Sequence, residues 1–182
     1  MFFVDSKVYK GRPENTENRL EKEIKVYDLL DELGVEYERV DHDAADTIEE
    51  CEQVEKIIGS DICKNLFLCN RQMTKFYLLM MPGKKPFKTK DISNQIGSAR
   101  LSFATADKML EYLDITPGSV SVLGLANDKG CDVQLLIDRE VYESEYVRCH
   151  PCINTSTLKI KTKDILEVFL PKTKHFPIMV EL

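Results

Sequence analysis

The chain has 182 residues, 43% of them apolar and 31% charged, with a formal net charge of −6. That length and apolar content suit a single domain around one sizeable core. No run approaches the roughly 20 uninterrupted apolar residues of a membrane-spanning helix, and the N-terminal stretch meets Asp5 and Lys7 too early for a secretion signal, so a cytoplasmic protein is expected.

The first 19 residues read as a polar lead-in, broken by Gly11-Arg12-Pro13, and residues 20–182 read as the functional domain. Ile24, Tyr27, Leu29, Leu30 and Leu33 recur at helical spacing, and Gly34 stands where a C-terminal cap belongs. Val35 to Val40 alternates apolar and charged residues, as a half-buried strand does. Residues 47–59 predict a second helix: Thr47 caps it, Glu50 completes a capping box, and Gly59 ends it. Leu66–Cys69 and Phe76–Met81 predict two core strands around a polar turn.

A short helix is expected over Ala106–Leu113 behind a Thr105 cap. Ser119–Leu125 and Val133–Ile137 predict strands separated by the turn Asn127-Asp128-Lys129-Gly130. Thr157–Lys161 alternates again, and a helix over Lys163–Phe169 precedes a last strand at Phe176–Val180. Hairpin-like pairs dominate the middle, which points to an α+β domain with a mixed β-sheet.

Charge is unevenly spread. Residues 1–62 carry 8 basic and 18 acidic side chains, whereas residues 63–182 carry 17 basic and 13 acidic. An acidic chain can therefore keep a cationic face for nucleic acid. Lys84, Lys85, Lys88 and Lys90 cluster in one loop, and Lys159, Lys161 and Lys163 alternate along a strand; both groups also read as ordinary solvated faces. Six cysteines lack the density of a disulfide scaffold. Cys149-His150-Pro151-Cys152 is the one suggestive thiol cluster, but it has no second pair at zinc spacing. Neither metal nor cofactor is expected.

No nucleophile elbow, P-loop or dinucleotide fingerprint occurs, so a site built from positioning and backbone dipoles is the remaining kind. Three places could form one. Lys64-Asn65 precedes a core strand, where a lysine can hold a phosphate or carbonyl, although strand-end lysines are commonly just exposed. Thr116-Pro117-Gly118-Ser119-Val120-Ser121 is a turn with free backbone N–H groups, or an ordinary helix-to-strand connection. In His150-Pro151-Cys152-Ile153-Asn154-Thr155, a rigid loop carries His150 and Asn154, which could equally cap their own backbone. His42 and His175 read as structural.

Taken in order, Lys64-Asn65-Leu66-Phe67-Leu68, Leu101-Ser102-Phe103-Ala104, the Gly118 turn, Asn127-Asp128 and His150-Pro151-x-x-Asn154-Thr155 resemble the YbaK and prolyl-tRNA-synthetase-associated domain superfamily. The similarity runs from about Glu21 to the C-terminus, and the last motif is most similar to the free-standing alanyl-tRNA(Pro) deacylases. The resemblance implies a mixed, partly closed β-sheet flanked by helices, and hydrolysis of the ester joining alanine to proline transfer RNA. Its partners would be that tRNA and prolyl-tRNA synthetase, with the protein a monomer or weak dimer.

By the same resemblance Lys64 engages the terminal nucleotide, Asn65 helps hold it, and the Gly118 turn, with Ser119 and Val120, surrounds the scissile carbonyl. His150 and Asn154 line the amino-acid pocket, Arg100 contacts the acceptor stem, and the ribose 2′-hydroxyl assists water. Family members place a proline four residues after the loop glycine; here that residue is Val122. Two other readings stay open: the same reaction on cysteinyl or other small-residue tRNA, and a non-catalytic tRNA- or synthetase-binding module.

Overall fold

A strand of unbroken apolar residues needs cover on both faces, and the run Phe76 to Met81 obtains it from the architecture built around it. The computed structural model describes residues 2–45, 47–59 and 63–182. In chain order these form β1 (Tyr9–Lys10), α1 (Glu21–Glu32), β2 (Tyr37–Asp41), α2 (Ile48–Ile58), β3 (Cys63–Cys69), β4 (Phe76–Pro82), α3 (Thr89–Gln95), β5 (Ser102–Phe103) and α4 (Ala106–Leu113). A 3-10 helix (Val122–Ala126) leads into β6 (Val133–Asp138), α5 (Arg139–Glu143), β7 (Tyr146–Cys149) and β8 (Ser156–Lys161). The chain closes through α6 (Thr162–Asp164), a π-helical segment (Ile165–Phe169), α7 (Leu170–Thr173) and β9 (Ile178–Val180).

The strands make two sheets where the sequence predicts one. The first is antiparallel, in the order β1-β2-β8-β7; the second is mixed, in the order β5-β3-β4-β6-β9, with β6 parallel to both β4 and β9. Neither sheet closes on itself. Their facing residues share the main core, in which Phe67, Leu78, Met80, Leu135 and Ile137 join Val147, Leu158 and Ile160 under Tyr27 and Leu30 of α1. A smaller cluster covers the other face of the mixed sheet: Leu68, Tyr77, Leu79, Met81 and Leu136 pack with Ile92 of α3, Leu101 and Val180. β4 is thus apolar at both parities because both faces are buried. The α+β class expected from the sequence holds.

Local chemistry explains most boundaries. Thr47 accepts from the Glu50 amide at 3.2 Å while Glu50 reaches back to the Thr47 amide at 3.0 Å, the reciprocal box predicted for α2. Gly59 closes that helix in the left-handed region. The predicted strand over Ser119–Leu125 is a correction: Ser121 is extended, but Val122–Ala126 is helical. Ser121 caps the helix, its hydroxyl accepting from the Leu123 amide at 3.2 Å. Val122, Leu123 and Leu125 are buried all round, so no polar residue betrays a period to distinguish helix from strand. Gly124 lets this helix pack closely on the end of α4, because a Cβ would stand 2.5 Å from Ile115 Cδ1 and 3.3 Å from the Leu113 carbonyl oxygen. The lead-in also joins the fold at β1, which pairs with Glu38 and Arg39 of β2.

Candidate active site

Three separated segments meet at one end of the two sheets. β3 brings Cys63 and Asn65, the turn after α4 brings Gly118 and Val120, and β7 with its following loop brings Arg148, Cys149 and His150. Thr157 of β8 completes the lining of a cavity of about 180 Å³. Gly118 sits at φ +88, in the region that favours glycine, so the turn can pass close to the cavity. The Ser119 amide donates to the Thr116 carbonyl at 3.1 Å, which closes the turn. Val122, standing where the family pattern has proline, is the first residue of the 3-10 helix; the Ser121 cap holds the position that a proline ring would otherwise pre-set.

The cavity wall is electrostatically quiet. His150 Nδ1 lies 2.8 Å from the Ser156 carbonyl oxygen, and burial lowers its pKa to about 4. His42 is packed 6.2 Å away, ring centre to ring centre, and burial lowers its pKa as well. The Cys63 thiol is pushed up to about 12 by burial, and Cys149 is raised for the same reason, so neither offers a thiolate nucleophile near neutral pH. Cys152 is likewise raised to about 12. Among the described residues no three His, Cys, Asp or Glu side chains are grouped to hold a metal ion. The Arg148 guanidinium, 2% exposed, donates to the Gly59 carbonyl at the end of α2 and brings the one cationic group in the lining.

Of the residues expected from the sequence, Asn65, Gly118, Val120 and His150 line the cavity together. Lys64, Ser119, Asn154 and Arg100 do not. Ser119 is buried, its amide spent on the turn. The Asn154 carbonyl accepts from Ala45 at 3.4 Å, tying the His150 loop to the segment before α2. Lys64 follows strand alternation onto the opposite face from Asn65, the face of Leu66 and Leu68. That face leads to a separate groove of about 620 Å³, lined by Phe87, Lys88, Lys90, Asn94, Arg100 and Phe103 among others. Of the lysine loop, Lys85 faces inward to the buried Asp138 and to Glu140, and so is a structural tether. Lys159 pairs with Glu38 and Lys163 with Glu167, which makes that stripe a solvated face.

Sequence reading missed Cys63, Arg148, Cys149 and Thr157 in the lining and treated His42 as merely structural. His42 in fact bonds Thr157, Nε2 to Oγ1 at 2.9 Å, and so touches the site through it. His175 does hold the fold: its Nε2 lies 3.0 Å from the buried Asp128 carboxylate, and its Nδ1 3.1 Å from Thr173.

Comparison with known proteins decides what the cavity belongs to. Residues 42–168 match the aminoacyl-tRNA editing domain. The chain belongs to that family. An editing domain acts by hydrolysing the aminoacyl ester, so the chain is an aminoacyl-tRNA deacylase with its cavity inside the matched span. Among its relatives is the prolyl-tRNA editing protein ProX of Acetoanaerobium sticklandii, 33% identical over 139 residues, covering 76% of this chain and 85% of that one. The prolyl-tRNA synthetase associated domain-containing protein 1 of Xenopus laevis is 31% identical over 165 residues, covering 88% and 96%. A solved structure described as a candidate trans-editing enzyme for prolyl tRNA synthetase superposes with a TM-score of 0.65 at 16% identity, covering 90% of this chain and 98% of that one. This editing domain therefore shares its fold with that structure across nearly its whole length.

Proposed function

We propose that the chain removes alanine wrongly attached to proline tRNA, working in trans to prolyl-tRNA synthetase in the cytoplasm. The observation that carries this reading is the cavity of about 180 Å³ on which Asn65, Gly118 and His150 converge from three distant segments. A proline pocket loses only about 1–3 kcal/mol of contact with a smaller apolar ligand, so a second, smaller site is a sound remedy. The names of the relatives above, ProX in particular, favour proline tRNA as the carrier.

The reaction is a hydrolysis: water adds to the ester carbonyl, the bond to the ribose oxygen breaks, and alanine and a free tRNA end leave. With the Ser119 amide engaged by Thr116, the Gly118 and Val120 amides are the turn's donors for the developing oxyanion; no acceptor among the described residues takes either. No thiolate or triad is required, because the aminoacyl ester is already activated and its neighbouring 2′-hydroxyl can assist the water.

The groove beyond Lys64 supports an RNA substrate. Lys88, Lys90 and Arg100 put three cations in its lining, which holds no carboxylate, while Phe103, 62% exposed, meets Phe87 edge-on at 6.0 Å. Cations with an open aromatic face suit phosphate and an unpaired base. Phe103 is in register with Leu68, so Lys64 shares their face of the sheet, and β5 pairs with β3 only at Leu68 and Cys69. In this reading the tRNA end runs from the groove past Lys64 into the cavity, where Asn154 braces the His150 loop.

Deacylation rates on a panel of alanyl-, seryl-, cysteinyl- and prolyl-tRNA test the reading. Alanyl-tRNA(Pro) should be cleaved fastest; a cysteinyl preference would select the small-residue alternative, and binding without turnover the non-catalytic one. Lys64→Ala should lower the alanyl rate by at least 100-fold with the fold intact, by loss of transition-state positioning. Full activity in that variant removes Lys64 from the site.

A further inference from the structure

Residues 2–5 belong to the lead-in and lie outside the span matched by the editing domain, yet they run along the strand end that carries His42. Val4 is bridged antiparallel to His42, and the Asp5 amide donates to the Asp41 carbonyl at 2.9 Å. Phe3 and Asp43 exchange two bonds. The Asp43 amide donates to the Phe3 carbonyl at 2.9 Å, and the Phe3 amide to the Asp43 carboxylate at 3.0 Å. On its other edge the same segment is tied to the His150 loop, because the His42 amide donates to the Thr155 carbonyl at 3.0 Å. Residues 41–43 are therefore a middle strand, with the lead-in as their outer neighbour. The two phenylalanines divide: Phe3 is 57% exposed, whereas the half-buried Phe2 ring lies 6.3 Å from that of His42, tilted by 41°.

We propose that Phe2 is a positioning residue for deacylation: it holds the His42 ring against Thr157 and His150, so that a segment outside the matched span sets the cavity wall. This rests on the deacylase reading above and deepens it. His42 Nδ1 lies 2.7 Å from the Asp43 carbonyl oxygen, which can only accept, so Nδ1 carries the ring's hydrogen. Nε2 then accepts from the Thr157 hydroxyl at 2.9 Å, and the His150 ring packs 6.2 Å away. Thr157 and His150 both line the cavity, so a turn of the His42 ring redirects a hydroxyl and shifts a ring in its wall. An aromatic neighbour limits that turn and keeps water off the ring. A wetted His42 takes a proton more readily, and a protonated Nε2 would donate to Thr157 and reverse its hydroxyl. Burial keeps that proton off, against the Asp43 carbonyl and the Asp41 and Asp43 carboxylates, which favour it; His150 beside it is neutral.

The test uses the full chain and whichever charged tRNA the unaltered protein cleaves fastest, with single-turnover rate and tRNA affinity measured separately. Phe2→Ala should lower the rate constant about fivefold and leave affinity within about twofold, because the cationic groove is separate from the cavity. Phe2→Tyr keeps the ring and should restore the rate. In a His42→Asn background, which already lacks the imidazole, Phe2→Ala should cost less than about twofold more. An unchanged rate in Phe2→Ala overturns the proposal, as does a loss carried by affinity or an equal loss in both backgrounds. If the unaltered protein cleaves no charged tRNA, the deacylase reading fails, and histidine NMR decides the positioning separately. The His42 ring should then titrate closer to its ordinary 6.5 in Phe2→Ala than in the unaltered protein; an unmoved titration overturns it.

Discussion

His150 illustrates how much one residue's setting changes its chemistry. In the sequence it is one of three histidines with no stated partner; in the fold it is neutral, tied to Ser156, and set 6.2 Å from a second neutral ring. Its pKa falls from 6.5 to about 4, so the unfolded chain binds the proton more readily than the native one. The stability this represents is complete above about pH 6.5 and is lost as pH drops toward 4. Its size is on the order of 3 kcal/mol. His42, lowered for the same reason, loses stability in the same direction. Urea titrations at pH 7 and pH 5 should show the midpoint falling on acidification, and His150→Gln should fall less steeply. A parallel decline in both proteins would place the acid sensitivity elsewhere. The sequence displayed Asn65, Gly118 and His150 because short motifs surround them. It concealed Thr157 and Arg148, whose proximity depends on β8 pairing with β2 and β7 across more than a hundred residues in one case and about ten in the other.

Among the elements, legibility followed whether a segment states its own boundaries. α2 does so at both ends, through Thr47 with Glu50 and through Gly59. Thr47→Ala should cost about 1 kcal/mol of stability, measured by thermal unfolding, since the Glu50 amide loses the hydroxyl that accepts from it; an unchanged melting temperature would mean the cap contributes nothing. The same helix delivers the Gly59 carbonyl to Arg148, so its end is a support for the cavity wall as well as a terminus. Val122–Ala126 states no boundary: buried apolar residues leave period two and period three alike. β7 was missed for a related reason, because a buried Arg148 beside Val147 and Cys149 erases the alternation that marks a strand. α3 and α5, at seven and five residues, are too short for a helical period to declare itself.

For the molecule as a whole, the net charge of −6 conceals a groove whose lining carries three cations. Binding of proline tRNA should weaken with salt, with a slope of log affinity against log salt of about −2 for three phosphate contacts. Lys88→Ala should reduce that slope by about one, read from filter binding between 50 and 200 mM salt; an unchanged slope would take the phosphates off this groove. The single domain was visible in length and composition, but its division into two sheets was not, because strand order is set by which apolar faces meet.

β9 carries one more consequence. The editing-domain match ends at residue 168, yet Ile178–Val180 lie parallel beside Leu136–Asp138 and form the outer strand of the mixed sheet. A chain ended at residue 168, with its N-terminal part kept, would leave β6 with a bare row of amides and carbonyls, the surface on which foreign strands polymerise. Such a trimmed protein should sediment as aggregates where the full chain stays dispersed. The residues beyond the matched span thus finish an edge that the matched span alone would leave open.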